Sequence, residues 1–212
     1  MTRIKLCGLS RPEDIKTANE LMPEYIGFVF APASRRYVPP SRALRLKEML
    51  NPGIRAVGVF TDEAPEIVAR LLDMGIIDLA QLHGHEDEAY ISRLRLLTDS
   101  DIIQAIKVRT KQDLQRAFES SADHVLLDSG AGTGTVFDWS ILSSAGHEYF
   151  LAGGLDCENV REAVCRLHPF AVDVSSGIET DGVKDPRKME AFVRAVRNCD
   201  CEADQQGGAE KT

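Results

Sequence analysis

The sequence is short of the residues that mark several classes of protein. Its five cysteines are scattered over 212 residues with no Cys-x-x-Cys pair, which indicates neither a zinc ribbon nor a secreted disulfide framework. The formal net charge is −8, whereas nucleic-acid-binding domains usually carry a basic surface. No apolar run reaches the roughly 18 residues of a membrane-spanning helix, and the amino terminus lacks a signal-peptide core. We therefore expect a cytoplasmic protein that binds neither nucleic acid nor membranes.

A regular alternation of apolar runs and amphipathic stretches is present instead. Eight short runs rich in β-branched and aromatic residues recur: RIKLCG, YIGFVF, IRAVGVF, IDLAQLHG, IIQAIKV, HVLLDSG, YFLAGG and AVDVSSG. Stretches of helical period follow them, from PEDIKTANELM through DWSILSSA to DPRKMEAFVRAV. This alternation predicts a parallel sheet with both faces covered. The count of eight favours a single α/β domain that closes into a (β/α)8 TIM barrel over an open doubly wound sheet.

The chain is predicted to consist of one domain and a short tail. We expect the catalytic barrel to occupy residues 1–198, and we expect the polar stretch 199–212 to be disordered. In barrels of this kind the active site lies on the loops that follow the strands. The polar residues at the strand ends are therefore the candidates for function.

The last two strand ends carry a pattern that is typical of phosphate binding. Gly153 and Gly154 follow the seventh strand, and Ser175, Ser176 and Gly177 follow the eighth. Neighbouring strands that end in this way offer backbone N–H groups and hydroxyls to one small concavity, next to the start of a helix. The loops after strands seven and eight are the usual phosphate site of the fold. The alternative is that these glycines only form tight turns.

Two further strand ends carry candidates for acid–base chemistry. Cys7 shares a face of the first strand with Lys5, which would place both side chains in the barrel interior. A thiol can act as a base when nearby positive charge lowers its pKa, and Lys5 and Lys107 are the candidates for that charge. Asp128 ends the sixth strand before a glycine-rich loop, where an apolar environment can hold a carboxyl group protonated as a general acid.

The second and fourth strands end in side chains that can bind a polar ligand. Arg35 and Arg36 lie in the loop APASRRYVPP, and either guanidinium could pair with a carboxylate. Gln81 and His83 are expected to point into the barrel on either side of Leu82. His83-x-His85 has a spacing that metal sites use, but no third ligand is apparent, so no metal site is predicted.

Taken together, these segments resemble the phosphoribosylanthranilate isomerases of tryptophan biosynthesis. The matching stretches are IKLCGLSRPED, IGFVFAPASRRYV, GVF, QLHG, LLDSGAGTGTVFDWS, LAGGLDCENV and AVDVSSGIETDGVKD, in the order found in that family. The resemblance implies a TIM barrel that converts N-(5-phosphoribosyl)anthranilate to 1-(2-carboxyphenylamino)-1-deoxyribulose 5-phosphate by an Amadori rearrangement. It implies no cofactor, since one acid and one base suffice.

The resemblance also implies roles for individual residues. Cys7 falls at the general base, Asp128 at the general acid and Arg36 at the contact to the anthranilate carboxylate. The other expected substrate-binding residues are His83, Gly153, Gly154, Asp173, Ser175, Ser176 and Gly177. Two positions depart from the family pattern. Ala131 stands where a glycine is usual, and Arg35 stands where proline or lysine is usual.

Three alternatives remain at this stage. A histidine-pathway isomerase would use two aspartates on a barrel with similar halves, and a ribulose-phosphate epimerase would need metal ligands on several strands. A barrel that only binds a sugar phosphate would keep the glycine loops but would not need both Cys7 and Asp128. We therefore favour the enzyme, acting on a small substrate with a phosphate and a carboxylate. A monomer is favoured over a homodimer, because the outer helices show no large apolar excess.

Overall fold

The computed structural model describes residues 1–129, 139, 142 and 147–209, the last ten of these by their backbone only. Eight parallel strands form a closed barrel in chain order, which confirms the predicted (β/α)8 fold. The strands are β1 (Arg3–Cys7), β2 (Tyr25–Val29), β3 (Arg55–Phe60), β4 (Leu79–Leu82), β5 (Ile102–Lys107), β6 (His124–Asp128), β7 (Phe150–Ala152) and β8 (Ala171–Val174).

Helices cover the outside of the barrel. They are α1 (Pro12–Leu21), α2 (Pro40–Glu48), α3 (Pro65–Asp73), α4 (Glu88–Arg95), α5 (Lys111–Phe118), α6 (Val160–Leu167) and α7 (Pro186–Ala209). Four of them begin with a proline, whose fixed φ and missing N–H suit the first turn of a helix. The helix expected over residues 138–145 falls outside the described residues except at Trp139 and Leu142. No described helix is long and apolar enough to cross a membrane.

Two features at the end of the chain were not foreseen. A short antiparallel hairpin of β9 (Glu179–Thr180) and β10 (Val183–Lys184) lies between β8 and α7. A disulfide bond joins Cys165 of α6 to Cys199 of α7, although the spacing of the cysteines gave no sign of a pair. The backbone of α7 continues to Ala209 across the predicted boundary at residue 198, and residues 210–212 lie outside the description.

Side chains alternate between two cores along each strand. On β1, Ile4 and Leu6 pack outward into the layer between strands and helices. Lys5 and Cys7 have the opposite parity and point into the barrel, as predicted. The lower part of the interior is filled by a separate apolar cluster that includes Tyr25, Val57, Leu79, Ile103, Leu126 and Phe150. Cys7 lies above it with Val29 and Val59, at the carboxyl ends of the strands.

Candidate active site

The predicted acid and base lie on well-separated strands of one barrel mouth. Cys7 is the last residue of β1, and Asp128 is the last residue of β6, three strands away around the closed barrel by way of β8 and β7. Both have inward parity, since Leu126 of β6 belongs to the interior cluster and Leu127 to the outer one. The mouth between them is therefore bordered by a thiol on one side and a carboxyl group on the other.

A buried ion pair lies directly beneath the thiol. The Nζ atom of Lys5 is 2.9 Å from Oδ1 of Asp173, and the two side chains are 0% and 10% exposed. The strand register pairs the same two residues across β1 and β8. Burial lowers the pKa of Lys5, but the charges of Asp173 and Cys7 outweigh it and leave that pKa raised. The charged form of Lys5 is therefore favoured next to Cys7.

The acidity of Cys7 results from opposing effects. Burial raises the pKa of the thiol, and the Asp173 carboxylate raises it further. The ammonium groups of Lys5 and Lys184 lower it, although the net result is still a raised pKa. Lys5 was expected in this role, whereas Lys184 was not. Lys107, the second expected cation, lies on β5 in register with Asp128 and thus on the other side of the mouth.

Asp128 is accompanied by a histidine whose ring is held from the opposite side. The Nε2 atom of His83 lies 3.5 Å from Oδ2 of Asp128, and its Nδ1 atom lies 2.9 Å from Nε2 of Gln81. With the amide in this orientation, Gln81 donates to Nδ1, so the ring proton of neutral His83 is on Nε2 and faces Asp128. Gln81 and His83 both point into the barrel, as expected, because Leu82 packs outward.

His83 and His85 do not form a joint site. His85 is almost fully exposed and pairs with Asp62, its Nδ1 atom 3.0 Å from Oδ2 of that carboxylate. His83 faces Asp128 instead. In the part of the chain that the structure describes, no cluster of three or more His, Cys, Asp or Glu side chains is arranged to hold a metal ion.

The glycine after β7 makes room for the acid. A Cβ atom on Gly153 would lie 2.6 Å from Oδ1 of Asp128 and would collide with Oγ of Ser129. The backbone there has a φ of +93°, a conformation that residues with a side chain rarely adopt. Ser129 in turn donates from its hydroxyl to the carbonyl of Gly153 at 2.9 Å. The loop after β7 and the end of β6 are thus in direct contact.

The two predicted phosphate loops lie against each other. A Cβ atom on Gly177 would collide with the carbonyl oxygen of Leu155 and lie 2.9 Å from Cα of Asp156. The Asp156 side chain accepts hydrogen bonds from the backbone N–H groups of Glu158 and Asn159, in the turn that leads into α6. Ser175 donates from its hydroxyl to the Cys7 carbonyl at 3.2 Å. The loops after β7 and β8 are therefore in contact with each other next to the end of β1.

The arginine expected to bind a carboxylate is held by a glutamate. Glu179 accepts hydrogen bonds from Nε and Nη2 of Arg36, at 2.6 and 3.0 Å. It also accepts from Arg35 at 2.7 Å and from Lys184 at 2.8 Å. Burial raises the pKa of Glu179, but the hydrogen bonds from Arg36 and Lys184 outweigh it and leave the pKa below its ordinary value. Glu179 is therefore a carboxylate surrounded by cations.

Glu179 and Lys184 are the site residues that sequence reasoning missed. They lie on the two strands of the hairpin β9–β10, joined by Asp181 and Gly182. Both turn residues have positive φ values, 52° and 78°, as a tight two-residue hairpin requires. Asp-Gly between short alternating segments is a strong sequence signal for such a turn, so the hairpin itself could have been found.

Comparison with known proteins is consistent with this geometry. Residues 4–195 match the family model of N-(5′-phosphoribosyl)anthranilate (PRA) isomerase. The N-(5′-phosphoribosyl)anthranilate isomerase of Acetivibrio thermocellus is 42% identical over 94% of this chain and 98% of its own.

Solved structures of such isomerases share the fold. That of Thermotoga maritima is 34% identical, with a TM-score of 0.86 over 93% of this chain and all of its own. A second structure from that organism, of monomers generated from the dimeric isomerase, has a TM-score of 0.83 and the same identity and coverage.

One further structure shows an isomerase with a bound ligand. It is a complex with reduced 1-(o-carboxyphenylamino)-1-deoxyribulose 5-phosphate, is 34% identical to this chain and has a TM-score of 0.83 over 93% of it and all of its own chain. The family model covers most of the chain, and the relatives are similar over almost their whole length. This chain therefore belongs to the N-(5′-phosphoribosyl)anthranilate isomerase family.

Proposed function

We propose that this chain performs its family's reaction with Cys7 as the general base and Asp128 as the general acid. The chain is an aldose–ketose isomerase of tryptophan biosynthesis. It converts N-(5-phosphoribosyl)anthranilate to 1-(2-carboxyphenylamino)-1-deoxyribulose 5-phosphate, the third step from chorismate. The observation that carries the assignment of roles is the placement of one thiol and one carboxyl group on separated strand ends of the same barrel mouth.

Asp128 is assigned the first proton transfer. Its carboxyl group gives a proton to the ribose ring oxygen while the C1′–O bond breaks, and the nitrogen lone pair forms the C=N bond of an iminium ion. His83, 3.5 Å from the carboxylate, can donate from Nε2 to the Asp128 anion that this step leaves behind. Proton transfer by a positioned side chain accelerates such steps by about 10²–10⁴-fold.

Cys7 is assigned the second proton transfer. The thiolate removes the proton from C2′, the C–H electron pair forms the C1′=C2′ bond, and the iminium nitrogen becomes neutral. The resulting enolamine tautomerises to the ketone by gaining a proton at C1′ and losing the hydroxyl proton at C2′. Lys5 and Lys184 favour the thiolate form, which burial alone would disfavour.

The two anionic groups of the substrate are assigned to two sets of residues at the mouth. The phosphate is placed on the loops with Gly153, Gly154, Ser175, Ser176 and Gly177, and the carboxylate is placed on Arg36. Support comes from the contact between the two glycine loops and from the cluster of cations around Glu179. Asp173 stays a proposed substrate-binding residue, and its pairing with Lys5 at 2.9 Å also holds that lysine next to Cys7.

A fluorescence assay of phosphoribosylanthranilate turnover tests the two catalytic roles. We expect Cys7→Ser and Asp128→Asn each to lower kcat by at least about 10²-fold while substrate still binds. Asp101→Asn is the matched control, because Asp101 pairs with Arg55 on the surface before β5 and lies outside the mouth. A fully active Cys7→Ser or Asp128→Asn enzyme would overturn the corresponding role.

The oligomeric state, domain boundary and location complete the proposal. We infer a cytoplasmic monomer whose catalytic unit is residues 1–198, as the sequence led us to expect. A dimer is the alternative outcome, since the Thermotoga maritima isomerase is described as dimeric. Light scattering of the purified full-length chain distinguishes the two states.

A further inference from the structure

Glu179 is the centre of a charged cluster at the edge of the mouth. Its side chain is 4% exposed and accepts four hydrogen bonds of 3.0 Å or less, two from Arg36 and one each from Arg35 and Lys184. A carboxylate with this number of charge-assisted hydrogen bonds is held in one orientation. Glu179 therefore fixes the positions of the three cationic side chains that bind it.

The cluster has more positive than negative charge. One carboxylate, Glu179, is shared by three cations, Arg35, Arg36 and Lys184. Lys184 is nearly buried, while the side chains of Arg36 and Arg35 are 22% and 61% exposed. The surplus of positive charge is thus carried by the two guanidinium groups that reach the solvent. A site with this distribution is suited to bind a second carboxylate from outside.

Arg36 is held by Glu179 at one edge of its guanidinium, and its stem passes close to Gly8. Glu179 takes Nε and Nη2, which uses two of the five N–H donors of the fork and leaves the other edge for a ligand. Lower down, Cδ of Arg36 lies only 2.5 Å from where a Cβ atom on Gly8 would be. Gly8 follows Cys7 directly, so the stem of Arg36 crosses the chain at the end of β1. The free edge of the guanidinium is therefore oriented by Glu179 near the strand end that carries Cys7.

Arg35 reaches the same carboxylate from another direction. Its Nη2 atom lies 2.7 Å from Oε2 of Glu179, and its guanidinium packs over Gly182 in the turn of the β9–β10 hairpin. Arg35 is one of the two positions at which this chain departs from the usual family pattern. A proline at that position could not make this contact, because it has no donor.

We propose that Glu179 is a positioning residue that assembles Arg35 and Arg36 into a two-arginine clamp for the carboxylate of the substrate. This inference rests on the proposed role of Arg36. Glu179 does not touch the substrate but holds Arg36 in the orientation in which its free edge meets the carboxylate. Arg35 supplies a second positive arm, which makes the clamp of this chain stronger than one arginine alone.

The test compares two substrates that differ only in the group the clamp recognises. KM and kcat are measured for N-(5-phosphoribosyl)anthranilate and for N-(5-phosphoribosyl)aniline, which lacks the carboxylate, with product separated by chromatography. The variants are Glu179→Gln, Arg35→Ala and Arg36→Ala. Glu24→Gln is the matched control, because Glu24 also pairs with an arginine, Arg197, but at the amino-terminal end of β2.

We expect Glu179→Gln to raise KM for the anthranilate substrate about 10-fold and to change kcat by less than about 3-fold, because the lost contact is equally present in ground and transition states. Its KM for the aniline substrate should stay at the wild-type value. Arg35→Ala should show the same selectivity with an increase in KM of about 3-fold. Glu24→Gln should leave both KM values unchanged.

Several outcomes would overturn the inference. If Glu179→Gln raises KM equally for both substrates, Glu179 has only a structural role, and an unchanged KM refutes any role. If Arg36→Ala removes the preference for the carboxylated substrate while Glu179→Gln keeps it, the inference fails and the proposed function stands. If Arg36→Ala keeps the preference, the role of Arg36 itself is wrong. Should Glu179→Gln fail to fold, Glu179→Asp, which keeps the charge, must show the selective rise in KM.

Discussion

Replacing Lys5 by methionine, alone and together with Asp173→Leu, separates the structural from the catalytic contribution of the buried ion pair. Lys5 is fully buried and lies 2.9 Å from an oxygen of Asp173. Lys5→Met alone leaves a carboxylate in the barrel interior without its cation. The double substitution Lys5→Met/Asp173→Leu removes both charges, with a side chain at position 173 that is larger than that of Asp, and it also removes the cation next to Cys7.

The expected effects on stability follow from the burial of the pair. Breaking a buried pair by removing one partner typically costs about 3–5 kcal/mol, whereas replacing both partners by apolar residues is often neutral or stabilising. We therefore expect the free energy of unfolding to fall by about 3–5 kcal/mol in Lys5→Met. Most of that loss should be recovered in the double variant. Urea unfolding followed by circular dichroism measures both values.

The two variants are also expected to differ from wild type in reaction rate. Lys5 lowers the pKa of Cys7 by its charge and by a hydrogen bond, and Asp173 opposes it more weakly. Loss of Lys5 therefore raises the thiol pKa further, and each unit of increase reduces the thiolate fraction about tenfold. The rate should decrease from wild type to the double variant to Lys5→Met. The rising limb of kcat/KM against pH should move to higher pH in both variants, because the active form is the deprotonated one.

The double variant Lys5→Met/Asp173→Leu decides whether Lys5 contributes to catalysis, because it is expected to be stable. If it turns over substrate at the wild-type rate near neutral pH, with an unshifted pH profile, Lys5 serves only to stabilise the barrel. That result would refute this account of how Cys7 is deprotonated. If Lys5→Met unfolds at the wild-type urea concentration, the expected contribution of the buried pair to stability is refuted instead.

Two further predictions concern glycines of the phosphate loops. Gly153→Ala should lower kcat at least about tenfold. The new Cβ atom would press on Asp128, and a side chain at the positive φ of this position costs about 1–2 kcal/mol. Steady-state kinetics measure kcat, and an unchanged value would contradict the prediction. Gly177→Ala should weaken competitive inhibition by inorganic phosphate, because a Cβ atom there forces the two loops apart; an unchanged inhibition constant would show that these loops do not hold the phosphate.

The parts of the site that obey local rules could be predicted from the sequence. Alternation along a strand placed Lys5 and Cys7 on the inner face of β1, and the same rule placed Gln81 and His83 on the inner face of β4. The rule works because consecutive side chains of a strand always point to opposite faces. The position of Asp128 at the mouth followed in the same way from the end of its strand.

Contacts between segments that are distant in sequence could not be predicted from the alternation of side chains along a strand. The register of β8 against β1 pairs Asp173 with Lys5, and no local pattern reveals that register. The sequence analysis did not single out Glu179 and Lys184, which lie in a polar stretch after β8. Their role follows from contacts to Arg36 and Ser175, the first of them 143 residues away from Glu179 in sequence.

The pairing of Lys5 with Asp173 also has a consequence for how the chain folds. It joins the first strand to the last, across 168 residues of sequence, and the Ser175–Cys7 hydrogen bond spans the same separation. During synthesis β1 emerges long before β8, so a partial barrel would have to bury Lys5 without its partner or leave the strand exposed. Because such intermediates are disfavoured, we expect the barrel to close only when β8 has been synthesised and can pair with β1. The ion pair beneath the thiol thus forms only when the last strand completes the ring.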